Sequence, residues 1–193
     1  MEKLNELLDG LYLDNHLSIK EMPDLDLYMD QVIQLFESKF ASSKRNEEEK
    51  ILTKTMINNY AKGKLLFPIK NKKYSKDHLI LISLIYQLKG ALSIKDIKTA
   101  LEHVNEKITN DNFNVDDLYE IYLYLSEYNR EQFREDAHEC ASEVNRQVSL
   151  MENSDSDYLE QLLLAISFVN MSNYYRRAAE RIVDEIGKGK ETT

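Results

Sequence analysis

Six lysines and no acidic side chain fall between Leu52 and Tyr74, in the stretch LTKTMINNYAKGKLLFPIKNKKY of a 193-residue chain whose formal net charge is −9. Lysines at this density can neutralise the phosphates of a polyanion. Asn58 and Asn59 add side-chain amides, each offering a donor and an acceptor that match the major-groove edge of adenine. Thr53 and Thr55, at the start of a short helix, add hydroxyl contacts for phosphate. The candidate contacts for double-stranded DNA are Thr53, Lys54, Thr55, Asn58, Asn59, Lys62, Lys70, Lys72, Lys73 and Tyr74, with the asparagines as base readers and the lysines as positioners. The competing use of the same charge is docking on an acidic protein, which would make the chain a non-enzymatic adaptor.

Other residue types capable of chemistry lack the partners that chemistry needs. Glu135 and His138 have the Glu-x-x-His spacing of carboxylate-bridged metal sites, but no second copy follows, so a surface pair is expected. His16, His78 and His103 lie in separate segments and are read as structural or exposed. Cys140 is the single cysteine and falls on an apolar stripe, as a small core residue does. There is no glycine-rich phosphate loop and no nucleophile elbow. No enzymatic activity, cofactor or metal is expected.

The elements that must position the basic stretch follow from periodicity. Leu25, Tyr28, Met29, Val32, Phe36 and Phe40 recur at helical steps after Met22–Asp24 and predict a helix over 24–40. The polar run 41–50 is read as an exposed connection. Thr53 caps a short helix 53–62 with Met56, Ile57 and Tyr60 inward and Lys54, Asn58 and Lys62 outward, ended by Gly63. Pro68 and the lysines after it suit a hairpin or extended loop tipped by Lys70, Lys72 and Lys73. An apolar helix over 76–89, opened by Ser75 and closed by Gly90, should lie at the centre of the core. Ser93 and Asp96 form a capping box for the helix after it. The polar stretch 109–114 marks a boundary. Beyond it come one helix of about 35 residues, a break at 152–157, and a second long helix from Tyr158 to Ile186 ended by Gly187; such a pair packs most simply as an antiparallel hairpin.

Few turn formers (5 Gly, 2 Pro) and many helix-compatible residues point to an all-α protein. Charge is partitioned along it: residues 1–49 carry 5 basic and 12 acidic groups, 50–98 carry 11 and 2, and 99–193 carry 9 and 20. The middle part therefore seeks anions on a body that otherwise repels them. A lone cysteine, no signal-like start and no apolar run of bilayer length predict a cytoplasmic chain outside the membrane. The tyrosines of the last third, among them Tyr119, Tyr122, Tyr124, Tyr128, Tyr158, Tyr174 and Tyr175, are read as hairpin core and as surface for a homodimer or a small-molecule effector.

TMINNYAKGKLL with Pro68, YSKDHL and LSIKDI together resemble the DNA-binding domain of the MerR family of transcriptional regulators. The resemblance sets Thr55 on the family's threonine, Lys54 on the preceding arginine, Gly63 and Pro68 at the turn, and Ser93 and Ile97 at a later helix start. Asn58 and Asn59 stand where the family has two tyrosines, and residues 41–50 where it has a tight turn. MPDLDLYMDQVI, LTKTMINNYAK, KKYSKDHLILISLIYQLK and LSIKDI are similar to a bacterial domain of unknown function, number 1836, over about 22–104. The fold expected is all-α: a MerR-like winged helix-turn-helix with a short β wing over 22–107, then a helical hairpin over 112–187, flanked by an extension 1–21 and a tail 188–193. The resemblance implies a DNA-binding transcriptional regulator, docking by a lysine-rich recognition helix and wing.

Overall fold

The computed structural model describes residues 2–110, 113–151 and 155–191. Among these the chain is mostly helical, with a two-stranded sheet as its β structure. Helix α1 (Glu2–Asp9) precedes strand β1 (Leu27–Tyr28), α2 (Met29–Lys39), α3 (Lys54–Lys62), β2 (Lys73–Tyr74), α4 (Lys76–Leu88), α5 (Ile94–Asn110), α6 (Val115–Val148) and α7 (Ser156–Glu191).

The core forms around α4. Leu79, Ile80, Leu81, Ile82 and Ile85 are all inaccessible to solvent, as expected of a helix apolar on nearly every side. Against it pack Val32 and Phe36 of α2, Ile57 and Tyr60 of α3, Leu65, and Ile97 and Leu101 of α5. The capping box at the start of α5 forms as expected: the Asp96 carboxylate accepts from the Ser93 N–H (3.2 Å) and hydroxyl (2.7 Å).

The helix expected over 24–40 begins only at Met29, and Leu25 is 78% exposed. Local periodicity loses to a non-local pairing. Leu27 and Tyr28 pair antiparallel with Tyr74 and Lys73, and the Gln31 side chain accepts from the Tyr28 N–H at 2.8 Å, fixing the helix start there. The end of α3 also differs. Gly63 has ordinary right-handed geometry, and Lys64 takes the left-handed position with φ of 59°. Glycine is needed at 63 for space, since a Cβ there would lie 2.8 Å from Leu65 Cδ1 and 3.0 Å from Asn59 O.

The boundary at 109–114 is a break in helix but not in the core; residues 111 and 112 lie outside the described residues. Val115 and Tyr119, in the first turns of α6, are buried with the α4 core, and the Tyr119 hydroxyl donates to Leu17 O at 2.7 Å. Leu17 and Met22 are core residues too, so the packed unit starts before residue 22.

Helices α6 and α7 form the expected hairpin. Phe133 faces Phe168 (centroids 6.1 Å apart) and Asn145 Nδ2 donates to Glu160 at 2.9 Å, so the two run antiparallel. Of the break expected over 152–157, residues 152–154 lie outside the described residues, and α7 begins within the rest of it, at Ser156 instead of Tyr158. Helix α7 continues through Gly187 instead of ending there; the C-terminal part of α7 packs on α5, where a Gly187 Cβ would lie 3.4 Å from Thr99 Cγ2. The tail from 188 is thus helical as far as Glu191.

Candidate nucleic-acid interface

Helix α3 is held by its inner face and presents its outer one. Ile57 and Tyr60 are buried, while Lys54, Thr55, Asn58, Asn59 and Lys62 are all exposed. At 100° per residue these five occupy one continuous side of the helix. Thr53 caps it, its Oγ1 accepting from the Met56 N–H at 3.1 Å, which occupies that hydroxyl locally. Lys54 is not free: its Nζ lies 2.7 Å from Asp30 Oδ1, at the start of α2.

The second basic element is the turn 70–73. Lys73 N–H donates to Lys70 O at 2.9 Å, and the two central residues, Asn71 and Lys72, have φ of 52° and 59°. Two left-handed residues in succession are the type I′ arrangement, whose twist suits antiparallel strands and which favours Asn then Gly. Lysine at 72 departs from that preference and puts an exposed cation at the tip. The strand that leaves the turn pairs with β1, so Lys73 lies over the Tyr28 ring, 5.2 Å from its centroid. Tyr74 is removed from the candidate contacts: it is 3% exposed, its backbone pairs with Leu27, and its ring meets His78 edge-on.

Three side chains off the outer side of α3, two of them buried (His78 and Asn105) and one half-buried (Glu37), fix these elements, and none was singled out from the sequence for this role. His78, buried in α4, ties both roots of the turn segment: its Nε2–H donates to Phe67 O (3.3 Å), and its Nδ1 accepts from the Ser75 N–H (3.1 Å). This tautomer is neutral, and burial pushes the imidazole pKa down. Glu37 of α2 anchors the run before α3, accepting from the Ile51 N–H (2.9 Å) and pairing with Lys44. The Lys44 ammonium holds the Glu37 pKa down, against opposing desolvation and with help from the Ile51 and Leu52 N–H groups. Asn105 of α5 donates to Leu65 O at 3.0 Å, just past α3. A polar residue inside an apolar period was the signal available for His78 and Asn105. Glu37 carried none, since a carboxylate on an amphipathic helix ordinarily faces solvent.

The remaining candidates behave as isolated groups. Glu135 is exposed and accepts from Gln132, and His138 is half-buried with a buried Nδ1 that has no hydrogen-bond partner among the described residues. His16 is half-buried beside Ser126 (2.7 Å) and Tyr122 (3.4 Å), and His103 is exposed beside Glu106. Cys140 is half-buried in the wall of an open groove between α6 and α7, beside Phe133, Phe168 and Tyr175. Among the described residues no three His, Cys, Asp or Glu side chains are grouped to hold a metal, and no helix is long and apolar enough to cross a membrane.

Residues 17–122, more than half of the chain, match the family described as Domain of unknown function (DUF1836). The chain belongs to that family. The match begins at Leu17, which accepts the Tyr119 hydroxyl, and ends at Tyr122 three residues further on, so the DUF1836 unit closes on itself through that bond. It contains α2 to α5, both strands and the first turns of α6, and leaves out α1, most of α6 and all of α7. No curated protein and no solved structure matches the chain.

Proposed function

We propose that this DUF1836 protein is a DNA-binding transcriptional regulator whose α2–α3 pair, turn 70–73 and β1–β2 ribbon act as a MerR-like winged helix-turn-helix. One observation carries this: Lys54, Asn58 and Lys62 share the exposed side of a helix locked from behind, and a second lysine-tipped element, the turn 70–73, belongs to the same packed unit. A short helix with cations and amides on its outer side fits the major groove, with the turn over the adjacent backbone. The lysines supply affinity and salt dependence; Asn58 and Asn59 supply base readout. Tyr28 joins the contact surface, because the Lys73 that covers its ring is a backbone-binding group. One such helix gives modest affinity, so the functional species is a homodimer meeting a two-fold-symmetric site.

The test is selection from a random-sequence duplex library at about physiological salt, where nonspecific binding is weak. Enrichment of an inverted repeat by the native protein, lost on changing Asn58 and Asn59 to Ala, is expected. Recovery of duplexes without a shared sequence, or of none, overturns base readout and favours an acidic protein as the occupant of the basic face.

A further inference from the structure

The N-terminal half of α6 shows solvent an apolar side with acid at both of its ends. Ile121, Tyr124, Leu125 and Tyr128 are 48–72% exposed, at the three- and four-residue steps of a helix–helix seam. Single exposed apolar residues are ordinary, but four on consecutive turns make a patch, and tyrosine is a residue type that interface cores favour. The fold does not use this side. Tyr124 and Tyr128 make no hydrogen bond or ring contact among the described residues. The segment that straps α6 lies on the opposite side, where Leu17 O accepts from the Tyr119 hydroxyl, His16 meets Ser126 and Asp9 holds Arg134; α7 lies there too, with Phe168 against Phe133.

The charges of α6 decide what fits. At 100° per residue Asp117, Ile121, Tyr124, Tyr128 and Glu135 share one side, flanked by Glu120, Glu131 and Glu139. Asp117, Glu120, Glu135 and Glu139 are exposed and have no ion pair among the described residues. The other acids are turned elsewhere or engaged: Lys76 holds Asp116, Arg130 holds Glu127 and Glu131, and Asp136 lines the groove toward α7. Arg130 and Arg134 are the lysine or arginine residues of 115–139, and both are occupied, Arg134 by Asp9. Acid, apolar, acid is a repulsive order for a second copy of the same stripe, parallel or antiparallel, because carboxylates meet carboxylates either way. DNA and anionic lipid are repelled by the same groups. We propose that this side of α6 docks a basic amphipathic helix of a partner protein, its apolar side on Ile121, Tyr124, Leu125 and Tyr128 and its lysines or arginines over Asp117 and Glu135. Those two carboxylates stand about 27 Å apart along the axis, so the partner's cationic ends are separated by roughly five helical turns. The tyrosine rings add faces on which such cations can rest. The proposal does not rest on the DNA-binding reading.

Phage-displayed helical peptides of at least five turns, randomised along one face, test it by panning against the full native chain at about 0.15 M salt. Enriched peptides are expected to carry apolar residues at helical steps in the middle and Lys or Arg at both ends. Fluorescence anisotropy should show their affinity falling at least about tenfold on Tyr124→Ala with Tyr128→Ala, and equally on Asp117→Lys with Glu135→Lys. The second variant should in turn bind the same peptides with Glu in place of the terminal cations. Glu47→Lys with Glu48→Lys, exposed acids on another part of the chain, should leave affinity unchanged. All variants should keep the native circular dichroism. Enrichment of no basic-ended peptide, binding that ignores either α6 variant, or an equal loss in the Glu47 and Glu48 variant overturns the site. Native self-association abolished by Tyr124→Ala with Tyr128→Ala overturns the partner helix and makes a second copy the occupant. Because no DNA enters these assays, their outcome and that of the DNA selection are separate.

Discussion

Replacing Lys72 by Gly should make the protein more stable and less able to bind DNA at once. Lys72 holds φ at 59° in the second central position of the turn 70–73. A left-handed conformation costs an ordinary L residue about 1–2 kcal/mol, and glycine removes that strain while adding roughly 0.5–1 kcal/mol of unfolded-state freedom. The expected net gain is about 0.5–1 kcal/mol, a rise in Tm of roughly 1–4 °C for a chain of this size. On the binding side, one lysine that neutralises one phosphate contributes a slope of about 0.9 in log affinity against log salt. Loss of Lys72 therefore weakens binding about eightfold at about 0.1 M salt and flattens the slope by about one unit. Lys72→Ala is the control that separates the two effects: it removes the same charge but keeps a strained side chain, so binding falls equally with no gain in Tm. Thermal melts and salt-titrated fluorescence anisotropy on any one duplex read both quantities. A Lys72→Gly protein no more stable than Lys72→Ala refutes the left-handed turn, and an unchanged salt slope in both refutes Lys72 as a phosphate contact.

Asp30→Asn releases Lys54 from a carboxylate 2.7 Å away and removes an anion from the basic face; anisotropy should show DNA binding tightened roughly two- to fivefold. The melt should hardly move, because both partners are largely exposed. Glu37→Ala strands the Ile51 N–H at the buried entrance to α3, and urea titration should show a loss of about 1–3 kcal/mol. Because the folded pKa of Glu37 is depressed, its contribution is present above the ordinary carboxylate range and is lost as pH falls through the lowered value. His78 has the same sign: it stays neutral in the fold, the unfolded chain takes up the proton first, and stability should drop as pH falls below about 6.5. His78→Gln should lose part of that slope, read by comparing Tm at pH 7.5 and pH 5.5; an identical pH dependence in the two proteins would remove His78 from this account.

The basic stretch, the inward trio of α3, the buried character of α4, the Ser93 capping box and the helical character of the two long C-terminal segments all follow from residue type and spacing, because each depends on neighbours within about one helical turn. The fold kept those expectations. Tyr74 shows where they stop: a tyrosine after three lysines in four residues looks like a surface contact until β1, far earlier in the chain, pairs with its backbone and closes it into the core. The same pairing shortened α2 at Met29, exposed Leu25 and set Tyr28 under Lys73. The roles of Glu37, His78 and Asn105 at the interface could not be read locally, since the Ile51, Phe67 and Leu65 backbone groups that they hold lie 11 to 40 positions away.

By itself, then, the sequence determined that α3 to α7 are helical, though not α1 or the start of α2, and it determined where positive charge gathers and which side of α3 bears it, since periodicity and charge are properties of adjacent residues. Only the tertiary structure decided that Lys54 is countered by Asp30, that Tyr74 is buried, that the core reaches back to Leu17 and on into α6, and that Tyr158, Ile166 and Val169 of α7 are exposed. Those outcomes depend on which distant backbone groups and apolar faces meet, and the chain specifies such meetings only through the whole set of contacts made at once.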